Sequence, residues 1–406
     1  MKKFSISLIL VSLGLNAQAM TWQEAETRLY SSNKELQSLE AQLKAQDMRT
    51  KSSLSLFLPD INAKGGYQDE QTREDMYQGY VGYLEGQWNL FNGGADSARR
   101  TTLKLEQRIL DLELQRKKKI LRRQLAEVYY GLWVQDESLR LWKEKQDLLV
   151  QQRGMAKKKI NAGLSSNVDG LEIDLEENMA EAEVESFKHT KERLWADLSS
   201  LVPDFSGETV VNTQDLPPAP LFPQESAESL TQKSSLLVQS QLIEEQARQV
   251  RKERVAELIP TIDLTTSYGR ITPEYSNPLA GNESKVAVLA TWNLFSGGKN
   301  VNNFRAARLE VESKTRAAEH ESRRVYAAIT SLRSQYMEKD HLRGLLKKRE
   351  KFAKSYYDLT LSEYRRGIKN SADLASATRG LYDTRQKLIS IGTEIALLSF
   401  KLDELM

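Results

Sequence analysis

The residues that could carry covalent or metal chemistry are few and far apart in this chain of 406 residues. The chain contains no cysteine, and its three histidines are His189, His320 and His341. These histidines do not have the spacing of metal ligands, and none belongs to a recognisable set of nucleophile, base and acid. We therefore expect no catalysis, no metal site and no cofactor, so the protein should not be an enzyme.

Two aspartates occupy positions at which a carboxylate has a defined physical role. Asp169 lies six residues after Gly163, and Asp373 lies six residues after Gly367. Each stands near the start of a stretch of helix-forming residues. A carboxylate there accepts hydrogen bonds from free backbone N–H groups and complements the helix dipole. For Asp169, helix capping and a contact with another helix remain open alternatives.

The surroundings of the two aspartates are duplicated. The segment 88–94 (WNLFNGG) returns as 292–298 (WNLFSGG), with six of seven residues identical and an offset of 204 residues (292 − 88). Gly163 and Gly367 each follow the tryptophan of their own copy by 75 residues (163 − 88 and 367 − 292). A repeated motif whose flanking residues also recur at the same spacing indicates an internal duplication.

The N-terminus has the pattern of an export signal. Two lysines precede an apolar run over residues 4–15, and Ala17-Gln18-Ala19 is a small-residue cleavage site. The run is too short to span a bilayer, which takes about 20 apolar residues in a helix. We therefore expect residues 1–19 to be a cleaved signal peptide. No later segment approaches spanning length, so a membrane-embedded mature protein would have to use strands.

The composition favours an envelope protein made of long helices. Removal of Lys2 and Lys3 leaves 56 basic and 56 acidic residues, and a neutral chain lacks the basic face that nucleic acid requires. The mean hydropathy is −0.55 with 28% charged residues, which is too polar for a compact globule of this size. Long helices with narrow apolar seams fit these values.

Each copy is predicted to contain an entering helix, two strands, a very long helix and a returning helix. Apolar residues at helical spacing indicate the helices, alternation of apolar and polar residues indicates the strands, and the Gly-Gly pairs turn strand into helix. The first copy (20–202) has an entering helix at 21–58, a strand pair at 61–90, a long helix at 95–161 and a returning helix at 167–202. The second copy (225–406) has these elements at 225–259, 262–294, 299–366 and 372–405, and the proline-rich segment 203–224 is a mid-height linker.

This arrangement is similar to the TolC family of outer-membrane channel-tunnels. The resemblance covers essentially the whole mature chain, and it rests on the WNLFxGG motif and on segment 367–386 (GIKNSADLASATRGLYDTRQ). It implies a mainly α fold with β: a trimeric, roughly 12-stranded outer-membrane β-barrel with four strands from each chain, continued by a long antiparallel α-helical tunnel in the periplasm. Closure of the barrel would pair every strand edge, as lipid requires.

The resemblance implies an outer-membrane exit duct that is passive in itself. A periplasmic adaptor would couple it to an inner-membrane transporter of the RND or ABC type, for efflux of small molecules such as drugs. A dedicated type I protein secretion channel is the alternative within this fold, because the inner-membrane pump largely selects the substrate. A coiled-coil envelope rod without transport is the alternative outside it. The expected partners are further copies in a homotrimer, the adaptor, the transporter and outer-membrane lipid, but no nucleic acid.

The resemblance also assigns roles to residues near the two glycine loops. Tyr364 and Lys369 would bond to Asp169 as a latch that holds the tunnel entrance shut. Well-known members carry an arginine where this chain has Lys369, and a lysine lacks the planar fork of arginine, so the latch should be looser. Asp373 would line the pore constriction as a ring of carboxylates. Ser376 stands where those members carry a second aspartate, so we expect weaker blockage by cations.

The glycine loops and the motif aromatics have two interpretations each. Gly163, Leu164, Gly367 and Ile368 would contact the hairpin of the adaptor, although the glycines could also simply terminate helices, and both roles are compatible. Aromatic rings stand where the strands end, and they fit either a membrane-interface girdle or packing at the joint between sheet and helices. These aromatic residues are Trp88, Phe91, Trp292 and Phe295.

Overall fold

A computed structural model describes residues 21–71, 76–164, 166–202, 216–271 and 282–406. The predicted signal peptide (1–19) lies outside the described residues, as does the greater part of the predicted linker, residues 203–215. Among the described residues, no helix combines the length and the apolar composition that crossing a membrane requires.

The two copies fold into the same order of elements. Two helices precede a pair of strands, and a helix of 67 residues and one of 35 residues follow it. The first copy contains α1 (Trp22–Ser32), α2 (Lys34–Ser52), a 3-10 turn (Ser53–Phe57), β1 (Asp60–Gln71), β2 (Met76–Phe91), α3 (Ala95–Asn161) and α4 (Asn167–Leu201). The second contains α5 (Ala227–Lys233), α6 (Ser235–Ala256), β3 (Thr261–Arg270), β4 (Glu283–Thr291), α7 (Lys299–Arg365) and α8 (Ser371–Leu405).

The helix before each strand pair is divided in two, where the sequence predicted one continuous helix over 21–58 and over 225–259. Asn33 and Ser234 leave the helical region, with ψ angles of 115° and 129°. Ser234 is fully buried, and its hydroxyl donates to the carbonyl of Leu405 at 2.5 Å. This partner lies 171 residues away, so no local pattern could indicate the break.

The start of α1 shows how local sequence fixes a helix end. The Thr21 hydroxyl accepts from the backbone N–H of Glu24 at 3.3 Å, and the Glu24 carboxylate accepts from the N–H of Thr21 at 3.0 Å. Each side chain satisfies an N–H group that has no partner within the helix. These reciprocal bonds form a capping box, which fixes the start of α1.

The four strands form one antiparallel sheet in the order β1-β2-β3-β4, so β1 and β4 are its edges. Leu84 is paired with Ala63 on one side and with Tyr268 on the other. Because paired residues point to the same face, the apolar residues gather on one face, as the alternating pattern predicted. Its exposed apolar side chains are Ile61, Tyr67, Tyr80, Leu84, Trp88, Tyr268, Val286 and Val288.

The opposite face of the sheet carries polar side chains that bond to one another. Lys64 forms an ion pair with Glu85, and the Gln87 amide donates to the same carboxylate at 2.8 Å. Between β2 and β3, the Asn89 amide donates to Asp263 at 2.7 Å. The two faces therefore suit different surroundings, one apolar and one aqueous.

The strand β4 ends earlier than the sequence predicted. The alternation continues to Leu294, but the strand stops at Thr291, whereas the equivalent strand β2 runs through Phe91. Thr291 is paired with Thr261, which is the first residue of β3. Since β4 lies at the edge of the sheet, its last residues have no strand of the same chain to pair with.

The chain divides into two compact units. One, here called the sheet unit, runs from Glu35 to Lys117 and from Gln224 to Thr330, with the last two residues of the chain. Next to its sheet, the helices are linked by polar side chains: Gln46 donates to Glu106 at 2.9 Å, and Thr315 donates to Glu244 at 2.7 Å.

The other unit contains both glycine loops and is here called the glycine-loop unit. It comprises the described residues up to Lys34, from Lys118 to Pro223, and from Ser331 to Glu404. Four helices meet in its core, which buries Leu149 of α3, Val184 of α4, Tyr357 of α7 and Leu381 of α8, among others. This core positions the loops described next.

Candidate functional site

Both glycine loops end their long helix in the same way. Gly163 and Gly367 have φ angles of +69° and +81°, a conformation in which other residues are strained. The N–H groups of each glycine and of the residue after it donate back to carbonyls of the last helical turn, at 2.9 to 3.1 Å. This is a Schellman motif. The two glycines therefore terminate their helices, and their contact with an adaptor, which is compatible with this role, stays a prediction.

Each loop also presents one exposed aliphatic side chain. Leu164 is 78% exposed and Ile368 is 65% exposed. In a Schellman motif this residue usually packs back onto the helical residue five positions earlier. Those positions here are Lys159 and Glu363, which are polar, so the aliphatic side chains have no apolar partner within the motif and remain in solvent.

Asp169 is both a helix cap and a link between the two loops. Its carboxylate accepts from the backbone N–H of Ser166 at 3.3 Å, which completes a capping box at the start of α4. The other carboxylate oxygen accepts from the backbone N–H of Ser371, the first residue of α8, at 3.2 Å. The sequence left capping and a contact with another helix as alternatives, and the structure contains both.

Tyr364 and Lys369 do not contact Asp169 directly within the described part of the chain. The Tyr364 ring is buried, and its hydroxyl accepts from the Ser371 hydroxyl at 3.4 Å. Lys369 forms an ion pair with Asp373 at 3.5 Å. In one chain, the predicted latch residues are thus connected through Ser371, which the sequence did not indicate. Direct bonds between neighbouring copies stay a prediction.

Lys159 is a second contact of Tyr364 that sequence reasoning missed. Its ammonium group lies 3.7 Å from the centre of the Tyr364 ring and donates to the Tyr364 carbonyl. A cation over an aromatic ring is attracted to the negative face of the ring. The last turns of α3 and α7 are therefore held against each other, at the same level as the bond between Asp169 and Ser371.

The two predicted pore residues lie together on the first turns of α8. Asp373 is half-exposed, and its backbone N–H donates to the Asn370 side chain at 2.9 Å. Ser376 is exposed. Residues three apart on a helix are neighbours on its surface, so both side chains face the same side of α8. Their place at a pore constriction stays a prediction.

A buried charge cluster lies inside the glycine-loop unit, and nothing in the sequence pattern indicated it. Glu176 of α4 and Lys145 of α3 are each about 2% exposed at their side chains, and their charged atoms are 3.2 Å apart. Arg379 of α8, which is half-exposed, donates to the same carboxylate through two nitrogens. The Lys145 ammonium also lies 4.4 Å from the centre of the Trp142 ring. One carboxylate therefore binds three helices together.

Further polar contacts join α8 to α3. Gln152 donates to the Thr378 hydroxyl at 3.1 Å, and the Tyr382 hydroxyl donates to Glu144 at 3.0 Å. Burial raises the pKa of Tyr382 above its usual value, and the negative charge of Glu144 raises it further. The Tyr382 hydroxyl therefore keeps its proton and remains a donor at physiological pH.

The motif tryptophans fasten the sheet to the helices that enter it. The indole N–H of Trp88 donates to the carbonyl of Phe57 at 3.1 Å, and that of Trp292 donates to the carbonyl of Leu258 at 3.2 Å. The rings themselves are 40% and 59% exposed. Phe91 and Phe295 are also exposed. The tryptophans thus serve the joint while presenting much of each ring to the surroundings, so the two interpretations from the sequence are compatible.

Replacing both tryptophans with phenylalanine, Trp88→Phe and Trp292→Phe, is expected to lower the melting temperature of the purified protein. The change keeps an aromatic ring but removes the donors, each worth about 1 kcal/mol net. Near-UV circular dichroism during heating measures the effect. Phe295→Leu is the control, because the Phe295 ring is 85% exposed. An unchanged melting temperature in the double variant would contradict a role for the indole N–H groups at the joint.

Among the described residues there is no group of three or more histidine, cysteine, aspartate or glutamate side chains that could hold a metal ion.

The sequence matches the model of a known protein family. The family model described as outer membrane efflux protein matches residues 25–202 and 227–403, one match in each copy of the duplication. No protein of curated function matches the chain in sequence.

Several solved structures share the fold over nearly the whole chain. The outer membrane protein VceC of Vibrio cholerae is 12% identical with a TM-score of 0.77, over 95% of this chain and 94% of that one. The MtrE outer membrane channel of Neisseria gonorrhoeae is 15% identical with a TM-score of 0.77, over 95% and 88%. The CmeC outer membrane channel of Campylobacter jejuni is 11% identical with a TM-score of 0.71, over 95% and 85%.

Proposed function

This chain belongs to the outer membrane efflux protein family, and from that premise we propose that it is the passive exit duct of a three-part export system for small molecules. The protein is an outer-membrane efflux channel and not an enzyme, and its helical part lies in the periplasm. The proposal adds three elements to this: a homotrimeric assembly, coupling through a periplasmic adaptor to an inner-membrane transporter of the RND or ABC type, and small molecules as cargo.

The sheet is the observation that carries the proposed assembly. One face exposes apolar side chains and the other carries bonded polar groups. The strands β1 and β4 are open edges, and lipid does not tolerate backbone groups without partners. A ring of copies in which β4 of one pairs with β1 of the next removes both edges. The apolar face then meets lipid, and the polar face lines an aqueous channel.

The glycine loops are the proposed end for the adaptor. Leu164 and Ile368 are exposed aliphatic side chains on loops whose backbones are held by Schellman motifs. In a threefold assembly six such loops would surround one opening. Exposed apolar residues on rigid loops offer a partner helix a preorganised contact. Asp373 and Ser376 on the adjoining turns of α8 would then line the constriction, and a single aspartate ring should bind cations only weakly.

Deleting the gene is expected to make cells several-fold more susceptible to small toxic compounds while leaving their secreted proteins unchanged. The measurement is a set of minimal inhibitory concentrations together with a comparison of secreted proteins, each with and without a plasmid copy. Loss of a secreted protein with unchanged susceptibility would contradict small-molecule efflux and favour type I protein secretion.

Purified protein in detergent should have the mass of a trimer, and a stable, fully folded monomer would contradict the channel itself.

A further inference from the structure

The apolar face of the sheet has a gap at Gly86. Gly86 lies on β2 between Leu84 and Trp88, whose side chains point to the same face because side chains alternate along a strand. Its neighbours across the sheet are Ile61 on β1 and Thr266 on β3. Since glycine has no side chain, the four surrounding side chains enclose a depression where a fifth would stand.

The depression is part of a groove of about 320 Å³, here called the Gly86 groove. One end is formed by Trp88 and Leu264, which are paired between β2 and β3. The other end is formed by Leu84 and Tyr268, which are also paired. The two ends are four residues apart along β2, which is about 13 Å at 3.3 Å per residue. The groove is as large as the smaller cavities that hold ligands in proteins, roughly 300 Å³.

Two contacts hold the groove open. The Trp88 indole donates to the carbonyl of Phe57 at 3.1 Å, so the ring cannot turn over Gly86 without losing this bond. A Cβ added at Gly86 would lie 2.9 Å from the methyl group of Thr266, closer than two carbon atoms pack. A side chain at this position would therefore displace Thr266 as well as occupy the groove. The groove is thus fixed by a glycine and by a bonded ring.

The second copy of the duplication does not have a glycine at this place. The residue equivalent to Gly86 is Ala290 (290 − 86 = 204, the offset between the copies). Ala290 is exposed on the edge strand β4. Each copy nevertheless has its tryptophan bonded at the joint between sheet and helices. The joint itself therefore does not require a glycine.

The position of the groove in the sheet indicates what reaches it. Pro59, which also lines the groove, lies two residues after the 3-10 turn that leads from α2 into the sheet. The groove is thus near the end of the sheet that joins the helices. This is the periplasmic end, because the helical part of the protein lies in the periplasm. On the apolar face of the proposed channel, the groove opens into the phospholipid leaflet that faces the periplasm.

We propose that the Gly86 groove binds one acyl chain of a phospholipid from that leaflet, one lipid for each copy of the chain. None of the residues that line the groove is charged, and most of its lining is hydrocarbon. A neighbouring copy is a poor occupant, because copies would pair along the edges β1 and β4, whereas the groove is centred on β2. A chain in a groove gains contacts on several sides, which a flat face does not offer.

A bound chain would strengthen the joint between the sheet and the helices. Trp88 and Pro59 belong to both the groove and the joint, so a chain packed against them would restrict the joint as well. A ligand that binds only the folded state raises its stability. The inference rests on the proposed membrane orientation of the sheet, and it adds a specific lipid site to that orientation.

Native mass spectrometry of the delipidated protein tests the site. The protein is titrated with palmitoyl-oleoyl phosphatidylglycerol, and the natural trimer should bind one lipid for each copy more tightly than any further lipid. Gly86→Leu should weaken this binding by about tenfold or more, because the added side chain occupies the groove. Ala290→Leu is the matched control. It adds the same side chain to the same face in the other copy, and it should bind lipid like the natural protein.

A short-chain lipid separates the acyl chain from the headgroup. Dihexanoyl phosphatidylglycerol has the same headgroup, but its chains are too short to fill a groove of about 13 Å. It should bind to the natural trimer more weakly than the palmitoyl-oleoyl lipid. Equal binding of the two lipids would place the contact at the headgroup and overturn the acyl-chain site.

A second variant keeps the test valid if Gly86→Leu fails to fold. Ile61→Trp extends a ring over the groove from a side chain that is 69% exposed, and it leaves the contact between Gly86 and Thr266 unchanged. It should also weaken lipid binding. Trimers of Ile61→Trp that bind lipid like the natural protein would overturn the site and leave the channel standing. Spectra of the natural protein that contain only monomers would contradict the channel instead.

Thermal stability gives a second readout of the same site. Palmitoyl-oleoyl phosphatidylglycerol should raise the temperature at which the natural trimer dissociates by several degrees, because the lipid binds the folded state. The rise should be smaller for Gly86→Leu and unchanged for Ala290→Leu. An equal rise in all three proteins would mean that lipid acts through the general shell around the sheet, which contradicts a site at Gly86.

Discussion

A Glu176→Leu variant is expected to lose about 3–5 kcal/mol of unfolding free energy, the usual result of removing one partner of a buried ion pair. Lys145, whose side chain is 2% exposed, loses the carboxylate 3.2 Å away and cannot reach water without disturbing the packing of α3. Arg379 contributes less to the loss, because it is half-exposed and can turn into solvent. The Trp142 ring compensates Lys145 only in part.

The measurement is the melting of the purified protein, followed by circular dichroism, with the decrease expected to be several degrees. Glu185→Leu is the matched control on the same helix. Glu185 also accepts from a lysine, but its side chain is 52% exposed, and exposed pairs contribute about 0.2–1 kcal/mol. Equal decreases for the two variants would contradict the special role of the buried carboxylate.

A double variant separates the charge from the packing. Lys145→Met with Glu176→Leu replaces the buried pair with apolar side chains of similar size, a change that is often neutral or stabilising. We expect it to melt at a higher temperature than Glu176→Leu alone. If the double variant is no more stable than the single one, the loss comes from the shape of the leucine side chain and not from an unpaired lysine.

The strands and the loop ends could be predicted because their signals are local. Alternation around Trp88 and Trp292 assigns each residue to a face without knowledge of the rest of the fold. Gly163 and Gly367 mark helix ends because only glycine readily adopts the positive φ found there. The capping role of Asp169 follows from its position near the start of a stretch of helix-forming residues. Each of these features depends on a few adjacent residues.

The features that the sequence did not indicate depend on distant partners. The break at Ser234 is fixed by a carbonyl 171 residues away, and β4 ends at Thr291 because its only neighbour begins opposite that residue. The chain has 28% charged residues, and most of them lie on the surface. The sequence therefore could not show that Glu176 and Lys145, unlike the others, are buried. Ser371 links the two loops only in the folded structure, where its N–H group bonds to Asp169 and its hydroxyl bonds to Tyr364.

An Asp169→Ala variant is expected to conduct more than the natural protein in planar bilayers and to make cells sensitive to large antibiotics such as vancomycin. The carboxylate joins the two glycine loops by accepting the N–H of Ser371 at 3.2 Å, and Ser371 also bonds to Tyr364. Its removal frees the start of α8, where Asp373 and Ser376 lie. We propose that the closed entrance depends on this bond in every copy.

The expected size of the effect follows from symmetry. A hydrogen bond of this kind contributes about 1 kcal/mol, and the loss of three at once would shift the ratio of open to closed channels roughly a hundredfold. Tyr364→Phe with Lys369→Ala should increase conductance in the same direction, and adding Asp169→Ala to that variant should add little if the residues act as one latch.

Ser166→Ala distinguishes the latch from the helix cap. It removes the other half of the capping box, in which the Ser166 hydroxyl accepts from Val168 at 3.2 Å, but it leaves the bond between Asp169 and Ser371 in place. If capping alone matters, Ser166→Ala and Asp169→Ala will conduct alike. If the link between the loops keeps the entrance shut, only Asp169→Ala will open it. An Asp169→Ala channel that assembles normally and conducts like the natural one would contradict the latch.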